Sequence, residues 1–268
     1  MKQFFLTLPG YPGATLDITL RDGCYDGWCQ NTRPMLVIFP GGGYHFCSDR
    51  EADPIASAYL ASGFSTCILR YSVRTSPDEP ALGDLPLQEA AETVRYVRAH
   101  ASDWSIDPDK ITVIGFSAGG HLAASLGVHW NRPSRLPSAG ASCRPNGLIL
   151  AYPVITAGEL THRGSIENLT GIEGFSSQDS LYNIPSYVGA DMPPAFIWHT
   201  FADELVPVEN SLELASAMRL AGRPFALHIF PCGQHGLSTA EAEVGGGPED
   251  VRQWLPLSVS WLQSMGLK

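Results

Sequence analysis

Short apolar runs rich in β-branched residues alternate along this chain with segments whose apolar positions recur at helical spacing. Residues 35–39 form a continuous apolar run that ends at a proline, which is typical of a buried strand. Residues 85–101 place apolar side chains along one helical face, which predicts a helix. The same criteria predict further strands at residues 65–71, 111–114, 147–151, 195–198 and 226–230, and further helices at residues 52–61, 118–127, 208–221 and 248–264.

This alternation of strands and helices predicts the fold class. It favours an α/β fold with a mostly parallel central sheet and helices on both faces, and such sheets bind their ligands at the carboxyl ends of the strands. Residues 1–34 are a polar lead-in with a predicted edge strand near residues 14–20. Because no linker rich in Pro, Gly and Ser divides the chain, we expect a single domain over residues 1–268.

Residues 156–192 interrupt the alternation. The segment is polar, rich in Gly and Ser, and contains Phe175, Tyr182 and Tyr187. We predict an insertion over the carboxyl edge of the sheet that acts as a lid or a substrate wall. An ordinary long loop with one or two short helices fits the same composition equally well.

Composition narrows the function classes. The net charge is −10 and the pI is about 5.2, with no basic stripe to neutralise phosphates, so we expect no nucleic-acid partner. No apolar run is long enough to span a membrane, and the N-terminal run is too short for a signal-peptide core. We therefore predict no membrane partner and a cytoplasmic location.

The six cysteines lack the paired spacing of a metal site. Cys67 falls in an apolar run and is predicted to be a buried thiol. Cys24 and Cys29 lie close together in a turn-rich segment, which leaves a disulfide between them open. Because no secretion signal is found, we predict that all six are reduced. The lack of paired spacing predicts that no metal is bound.

Residues 115–119, Gly-Phe-Ser-Ala-Gly, form the most informative motif of the chain. The predicted strand 111–114 precedes it and the predicted helix 118–127 follows it. A strand, a sharp turn and a helix would hold Ser117 at the tip of the turn, with glycines where a Cβ would clash. The helix N-terminus would favour negative charge developing nearby. The motif therefore predicts Ser117 as a nucleophile.

A serine nucleophile needs a base and a group that orients the base. Asp203 follows the predicted strand 195–198, and His235 follows the strand 226–230, which is the chain order expected after such a serine. We predict His235 as the base and Asp203 as its orienting group. Asp203 as a helix cap, Glu204 in its place, and His235 as an ordinary loop histidine are the alternatives.

The remaining histidines are weaker candidates for the base. His121 is expected to pack or hydrogen-bond behind Ser117, and His199 to support the loop of Asp203. His45 lies beside a glycine-rich turn and is a candidate for substrate contact. His228 falls within a predicted strand, and His100, His129 and His162 have no placed partner.

That turn, Gly41-Gly42-Gly43, follows the predicted strand 35–39 and would let backbone N–H groups approach a ligand. Together with the amide of Ala118 these groups would form an oxyanion hole. A phosphate-binding loop is disfavoured because the Lys-Ser/Thr pair of a P-loop is missing.

Together these motifs resemble the α/β-hydrolase superfamily, over about residues 33–260. The most similar branch contains acetyl esterases, acetyl xylan esterases and feruloyl esterase-like proteins, related to the hormone-sensitive-lipase-type carboxylesterases. The resemblance implies Ser117 as nucleophile, Asp203 as orienter and His235 as base, and no cofactor. It implies Gly42, Gly43 and Ala118 as the oxyanion donors.

Two departures from the lipase relatives indicate a short acyl group. Pro40 stands where those relatives carry a histidine before the glycines, and the N-terminal cap helices of that branch are missing. We therefore expect an open pocket and a serine carboxylesterase that removes acetyl or similar groups from carbohydrate or other alcohols.

The expected partner is a small-molecule or oligosaccharide ester. Tyr44 and His45 are the predicted substrate contacts, with Tyr44 and Phe46 stacking on a sugar. An amide-cleaving hydrolase of the same fold and a non-catalytic binding protein are the alternatives, and homo-oligomerisation is left open.

Overall fold

The computed structural model describes residues 1–22, 32–137, 139–173, 177 and 180–268. Eight strands form one sheet in the order β1-β2-β4-β3-β5-β6-β7-β8. The strands are β1 Lys2–Thr7, β2 Thr15–Leu20, β3 Arg33–Phe39, β4 Ser65–Arg70, β5 Ile106–Phe116, β6 Gly147–Ala151, β7 Ala195–Thr200 and β8 Phe225–Phe230. The helices are α1 Asp53–Ala61, α2 Leu85–Ala99, α3 Ala118–His129, α4 Arg163–Thr170, α5 Glu209–Leu220 and α6 Trp254–Ser264.

The sheet is parallel from β4 through β3 and β5 to β8, as the alternation of elements predicts. β1 and β2 join it antiparallel to their neighbours. The prediction of an edge strand near residues 14–20 was wrong in one respect, because β2 pairs on both sides. The edge is β1, whose partly exposed residues carry too little apolar periodicity to identify a strand.

Successive residues of β3 face opposite sides of the sheet and enter different apolar clusters. Val37 packs with Val94 of α2 and Leu122 of α3 in one cluster. Ile38 packs with Tyr59 of α1 and Trp254 of α6 in the other. Helices therefore cover both faces, and the predicted α/β class is confirmed.

The predicted insertion contains α4 and a short 3-10 helix at Ile184–Tyr187. Phe175, which also falls in this segment, lies outside the described residues. The predicted C-terminal helix begins later than expected, because a 3-10 turn at Val251–Gln253 precedes α6.

Four cysteines are described as free thiols, namely Cys47, Cys67, Cys143 and Cys232. Cys67 is fully buried as predicted, and burial raises the pKa of its thiol. Cys24 and Cys29 lie outside the described residues. Within the ranges given above, no helix combines the length and the apolar character that crossing a membrane requires.

Candidate active site

Ser117 occupies a strained turn between β5 and α3. Its φ of 52° lies in the left-handed region that non-glycine residues rarely adopt. The turn depends on its glycines, since a Cβ on Gly115 would lie 2.1 Å from the Gly119 carbonyl oxygen. A Cβ on Gly119 would lie 2.1 Å from the carbonyl oxygen of Phe39. This close packing holds the Ser117 side chain at the carboxyl edge of the sheet.

The structure brings Ser117, His235 and Asp203 together in one hydrogen-bonded chain. His235 Nε2 lies 2.8 Å from Ser117 Oγ, and His235 Nδ1 lies 2.6 Å from Asp203 Oδ2. Because an ionised carboxylate can only accept, Nδ1 carries the proton and Nε2 is left to accept from the serine hydroxyl. The arrangement allows Ser117 Oγ to lose its proton to His235 as it attacks a carbonyl carbon.

Asp203 is buried and accepts several hydrogen bonds. Oδ1 accepts from the backbone N–H groups of Leu205 at 3.0 Å and Val206 at 2.9 Å. Oδ2 accepts from His235 and, at 3.2 Å, from His199 Nε2. Burial alone would raise the pKa of Asp203, but the hydrogen bonds from His199, His235 and the Val206 amide hold it well below its usual range. The carboxylate therefore stays ionised beside His235.

His199 supports the Asp203 loop, as the sequence suggested. Its Nε2–H also donates to the Val206 carbonyl oxygen at 2.9 Å, and its Nδ1 accepts from Ser211 Oγ at 2.8 Å. The ring is fully buried at the end of β7. It thus fixes both ends of the turn that presents Asp203.

The glycine loop after β3 lies directly beside Ser117. Gly42 and Gly43 have φ values of 122° and 65°, and a Cβ on Gly42 would lie 2.1 Å from the Phe46 carbonyl oxygen. A Cβ on Gly41 would lie 3.0 Å from Ser117 Cβ, which measures how closely the two loops approach. The loop is well placed for the predicted oxyanion role of Gly42, Gly43 and Ala118, which stays a prediction.

Tyr44 does not occupy the predicted position. Its buried hydroxyl donates to His121 Nδ1 at 2.8 Å, and His121 Nε2–H donates to the Tyr182 carbonyl oxygen at 2.9 Å. Burial lowers the pKa of His121 to about 4, so the ring is a neutral acceptor. The positive φ of Tyr44, 60°, belongs to the turn that buries its ring behind the glycine loop. A direct contact between this ring and substrate does not fit this placement.

A cavity of about 520 Å³ opens in front of Ser117. Phe46 and Leu205 stand at its rim with 55% and 53% of their surface exposed. The predicted contact residue His45 also borders the cavity, with its Nδ1 held by the Arg74 carbonyl oxygen at 2.9 Å. The lining residues are Gly42, Gly43, His45, Phe46, Ser48, Arg50, Glu51, Ser117, His162, Gly164, Asn168, Leu205, His235 and Gly236.

Residues of α4 and the residue before it border one side of this cavity. His162, the residue before α4, and Asn168, near its end, both line the cavity. Asn168 Nδ2 donates to the Gly43 carbonyl oxygen at 3.0 Å. His162 Nδ1 is held by Ser165 Oγ at 2.8 Å. The sequence offered only the polar composition of the insertion as a signal, so neither residue was identified individually.

Comparisons with known proteins identify the family. The BD-FAE family model matches residues 25–144. A crystal structure of an acetyl ester-xyloside bifunctional hydrolase from Caldicellulosiruptor lactoaceticus superposes with a TM-score of 0.81 and 35% identity, covering 95% of this chain and 89% of that one. The chain belongs to the esterase-like α/β hydrolases, which confirms the resemblance seen in the sequence.

Two curated relatives add detail. Endo-1,4-beta-xylanase B of Butyrivibrio fibrisolvens is 37% identical over 217 residues, which are 80% of this chain and 34% of the relative. The acetylxylan esterase of Xylanibacter ruminicola is 34% identical over 209 residues, or 75% of this chain and 40% of the relative. The chain thus spans well under half the length of these relatives.

Proposed function

We propose that this protein is a serine carboxylesterase that removes short acyl groups, acetyl in particular, from carbohydrate or similar alcohols. One observation carries the proposal: the hydrogen-bonded chain from Ser117 through His235 to Asp203 opens into the cavity. Its membership of the esterase-like α/β hydrolases favours ester chemistry at that serine.

In the proposed mechanism, Ser117 Oγ attacks the ester carbonyl carbon while its proton moves to His235 Nε2. The oxyanion is held by the N–H groups of Gly42, Gly43 and Ala118, and Asp203 stabilises the imidazolium. The carbon–oxygen bond to the alcohol then breaks, and the alcohol leaves with the proton from His235. Water loses a proton to His235 as it attacks the acyl-Ser117, which releases the carboxylic acid and restores the serine.

Several features favour an acetylated carbohydrate. One relative is named an acetylxylan esterase, and another is named an acetyl ester-xyloside bifunctional hydrolase. The exposed ring of Phe46 offers a flat apolar face, and the side chains of Arg50, His162 and Asn168 around the same cavity offer polar groups for sugar hydroxyls. We propose residues 156–192 as the substrate wall over this side. The cytoplasmic location stays a prediction.

The test is hydrolysis of p-nitrophenyl esters from acetate to octanoate by the wild type and Ser117→Ala. We expect acetate to be preferred and the variant to lose at least about a thousandfold in kcat, because it removes the nucleophile. Ser125→Ala, which changes a different buried serine within α3, is the matched control and should retain activity. Equal rates for wild type and Ser117→Ala would refute the proposal.

A second comparison examines the substrate class. We expect the wild type to release acetate from acetylated xylo-oligosaccharides and to hydrolyse an ester faster than the amide with the same acyl group. A preference for longer acyl chains would contradict the short-acyl assignment. A preference for the amide would contradict the carboxylesterase assignment.

A further inference from the structure

A buried carboxylate that the mechanism does not use lies beneath the glycine loop. Glu51 is 3% exposed, in the 3-10 turn before α1. Its Oε2 accepts from the Gly41 N–H at 2.8 Å, and its Oε1 accepts from the Tyr152 hydroxyl at 2.6 Å. A Cβ built on Gly41 would touch both Glu51 Oε2 and Ser117 Cβ, so the carboxylate lies close behind the nucleophile.

Tyr152 continues the connection to the loop that carries His235. Its hydroxyl oxygen accepts from the Ser238 N–H at 2.9 Å, and its ring meets the His235 ring edge-on at a centroid distance of 5.0 Å. The Ser238 carbonyl oxygen in turn accepts from Trp254 Nε1 at 2.9 Å. One phenol thus contacts the ring of the base and the backbone that follows it.

We propose that Glu51 and Tyr152 are positioning residues, which tie the glycine loop to the His235 loop and so keep the oxyanion donors and the base correctly spaced around Ser117. The inference rests on the proposed function, because it assigns a role within that reaction. The loops it joins follow β3 and β8, which are separated by three strands of the sheet.

The chemistry of the two groups suits this role. A buried carboxylate is costly when its oxygens lack hydrogen-bond donors. Because the Gly41 N–H and the Tyr152 hydroxyl each donate to one oxygen of Glu51, the carboxylate holds both donors in place. Burial and, to a smaller extent, the charge of Glu51 raise the pKa of Tyr152 well above its usual value. The phenol therefore stays protonated and donates a hydrogen bond to Glu51. A misplacement of about 1 Å in such a site can cost about a hundredfold in rate, which makes this spacing worth fixing.

Tyr152→Phe tests the proposal, with Tyr59→Phe as the matched control. Tyr59 is also fully buried, but its hydrogen bond to Ser258 Oγ, at 2.6 Å, joins α1 to α6 away from the site. We expect both variants to lose similar stability. Only Tyr152→Phe should lose kcat on p-nitrophenyl acetate, by about 10- to 100-fold, with KM changed by less than about threefold.

Glu51→Gln supplies a second variant, because it keeps one acceptor and the side-chain shape while losing the charge. We expect its kcat to fall as in Tyr152→Phe. The proposal would be overturned if both variants kept kcat within about twofold of Tyr59→Phe.

Labelling with a fluorophosphonate probe tests the positioning role independently of which ester the protein hydrolyses. The probe reports attack by Ser117 whatever the natural ester is, and Ser117→Ala sets the background. Slower labelling of Tyr152→Phe and Glu51→Gln than of Tyr59→Phe would support positioning, even in a protein that fails to cleave acetate esters. Labelling of all three at the wild-type rate would refute it.

Discussion

The inner part of the site and its rim are built in opposite ways. The inner part comprises Ser117, Asp203, His235 and the buried groups behind them, His199, Glu51 and Tyr152. Asp203 and His199 have no exposed side-chain surface, and each makes several hydrogen bonds. The rim comprises His45, Phe46 and Leu205, and more than half of the surface of Phe46 and Leu205 is exposed.

This difference indicates where chemistry and selectivity reside. Groups that stabilise a transition state must be held in place before the substrate arrives, which requires the dense packing of the inner part. Rim side chains can change without leaving buried polar atoms unpaired, because solvent replaces their contacts. Substitutions in the inner part should therefore lower kcat or stability, and substitutions at the rim should alter KM alone.

The largest effect is expected for Asp203→Asn. An amide in this position can donate to His235 Nδ1 and so favour the wrong tautomer, which should lower kcat by about 10³- to 10⁴-fold. Steady-state kinetics on p-nitrophenyl acetate measures the change, and Asp107→Asn in β5 is the control. A loss smaller than about tenfold would show that Asp203 does not orient the base.

The next largest effect is expected in the pH dependence of stability, through the protonation of His121. Its folded pKa of about 4 lies below the ordinary value of 6.5, so the unfolded chain binds more protons between these values. The stabilisation is complete above pH 6.5 and is lost as the pH falls toward 4. At pH 4.5 the part of the loss that comes from His121 should be about 2 kcal/mol relative to pH 7, because each pKa unit corresponds to about 1.4 kcal/mol. Burial also lowers the pKa of His129, to about 3, so this residue adds a separate loss over the same pH range.

Denaturant unfolding at pH 7 and pH 4.5 measures this loss, and His121→Gln should reduce it. Glutamine can accept from Tyr44 and donate to the Tyr182 carbonyl but does not titrate. Equal losses in wild type and variant would mean that His121 does not contribute to the pH dependence.

A smaller effect on rate is expected for His199→Phe. The change removes a donor to Asp203 and leaves Ser211 Oγ without its acceptor, so kcat should fall by about tenfold and stability by about 2 kcal/mol. His228→Phe, in the neighbouring strand β8, is the control. Unchanged kcat with reduced stability would limit His199 to a structural role.

The smallest effect is expected at the rim. Phe46→Ala should raise KM for acetylated xylo-oligosaccharides by about fivefold, or about 1 kcal/mol, through loss of apolar contact with the sugar. The kcat for p-nitrophenyl acetate should stay within about twofold. Phe5→Ala changes another exposed phenylalanine, on β1, and should alter neither value. A large fall in kcat for Phe46→Ala would contradict the division between inner part and rim.

The sequence predicted those parts of the molecule whose signals are local. Buried parallel strands such as β3 are continuous apolar runs, and the serine turn has a compact motif, so both could be located without a structure. β1 could not, because its strand conformation depends on pairing with β2 rather than on its own pattern. The predicted substrate contact of Tyr44 was wrong because the direction of its side chain depends on a positive φ. The residue type of an aromatic side chain does not predict that backbone conformation.

The hydrogen bonds of Glu51 and Tyr152 behind the site could not be predicted from the sequence either. Glu51 and Tyr152 lie 101 positions apart, and no spacing rule relates them. Only the folded sheet brings the ends of β3, β6 and β8 close enough for these side chains to meet. The role of His199 could be predicted in part, because it precedes Asp203 by four residues at the end of a predicted strand.

The backbone of this site is strained at several non-glycine residues, which lowers the stability of the fold. Six non-glycine residues in the described part of the chain have positive φ, and four of them are Tyr44, Ser117, Tyr152 and Ser238. Each such conformation costs about 1–3 kcal/mol, which the surrounding packing must offset. At Ser117, whose small side chain contributes little packing, selection for heat resistance alone would therefore favour glycine, which relieves the strain and removes the nucleophile. Thermal stability and catalysis therefore make opposite demands on this residue, and a library of Ser117 variants screened only for melting temperature should select inactive proteins.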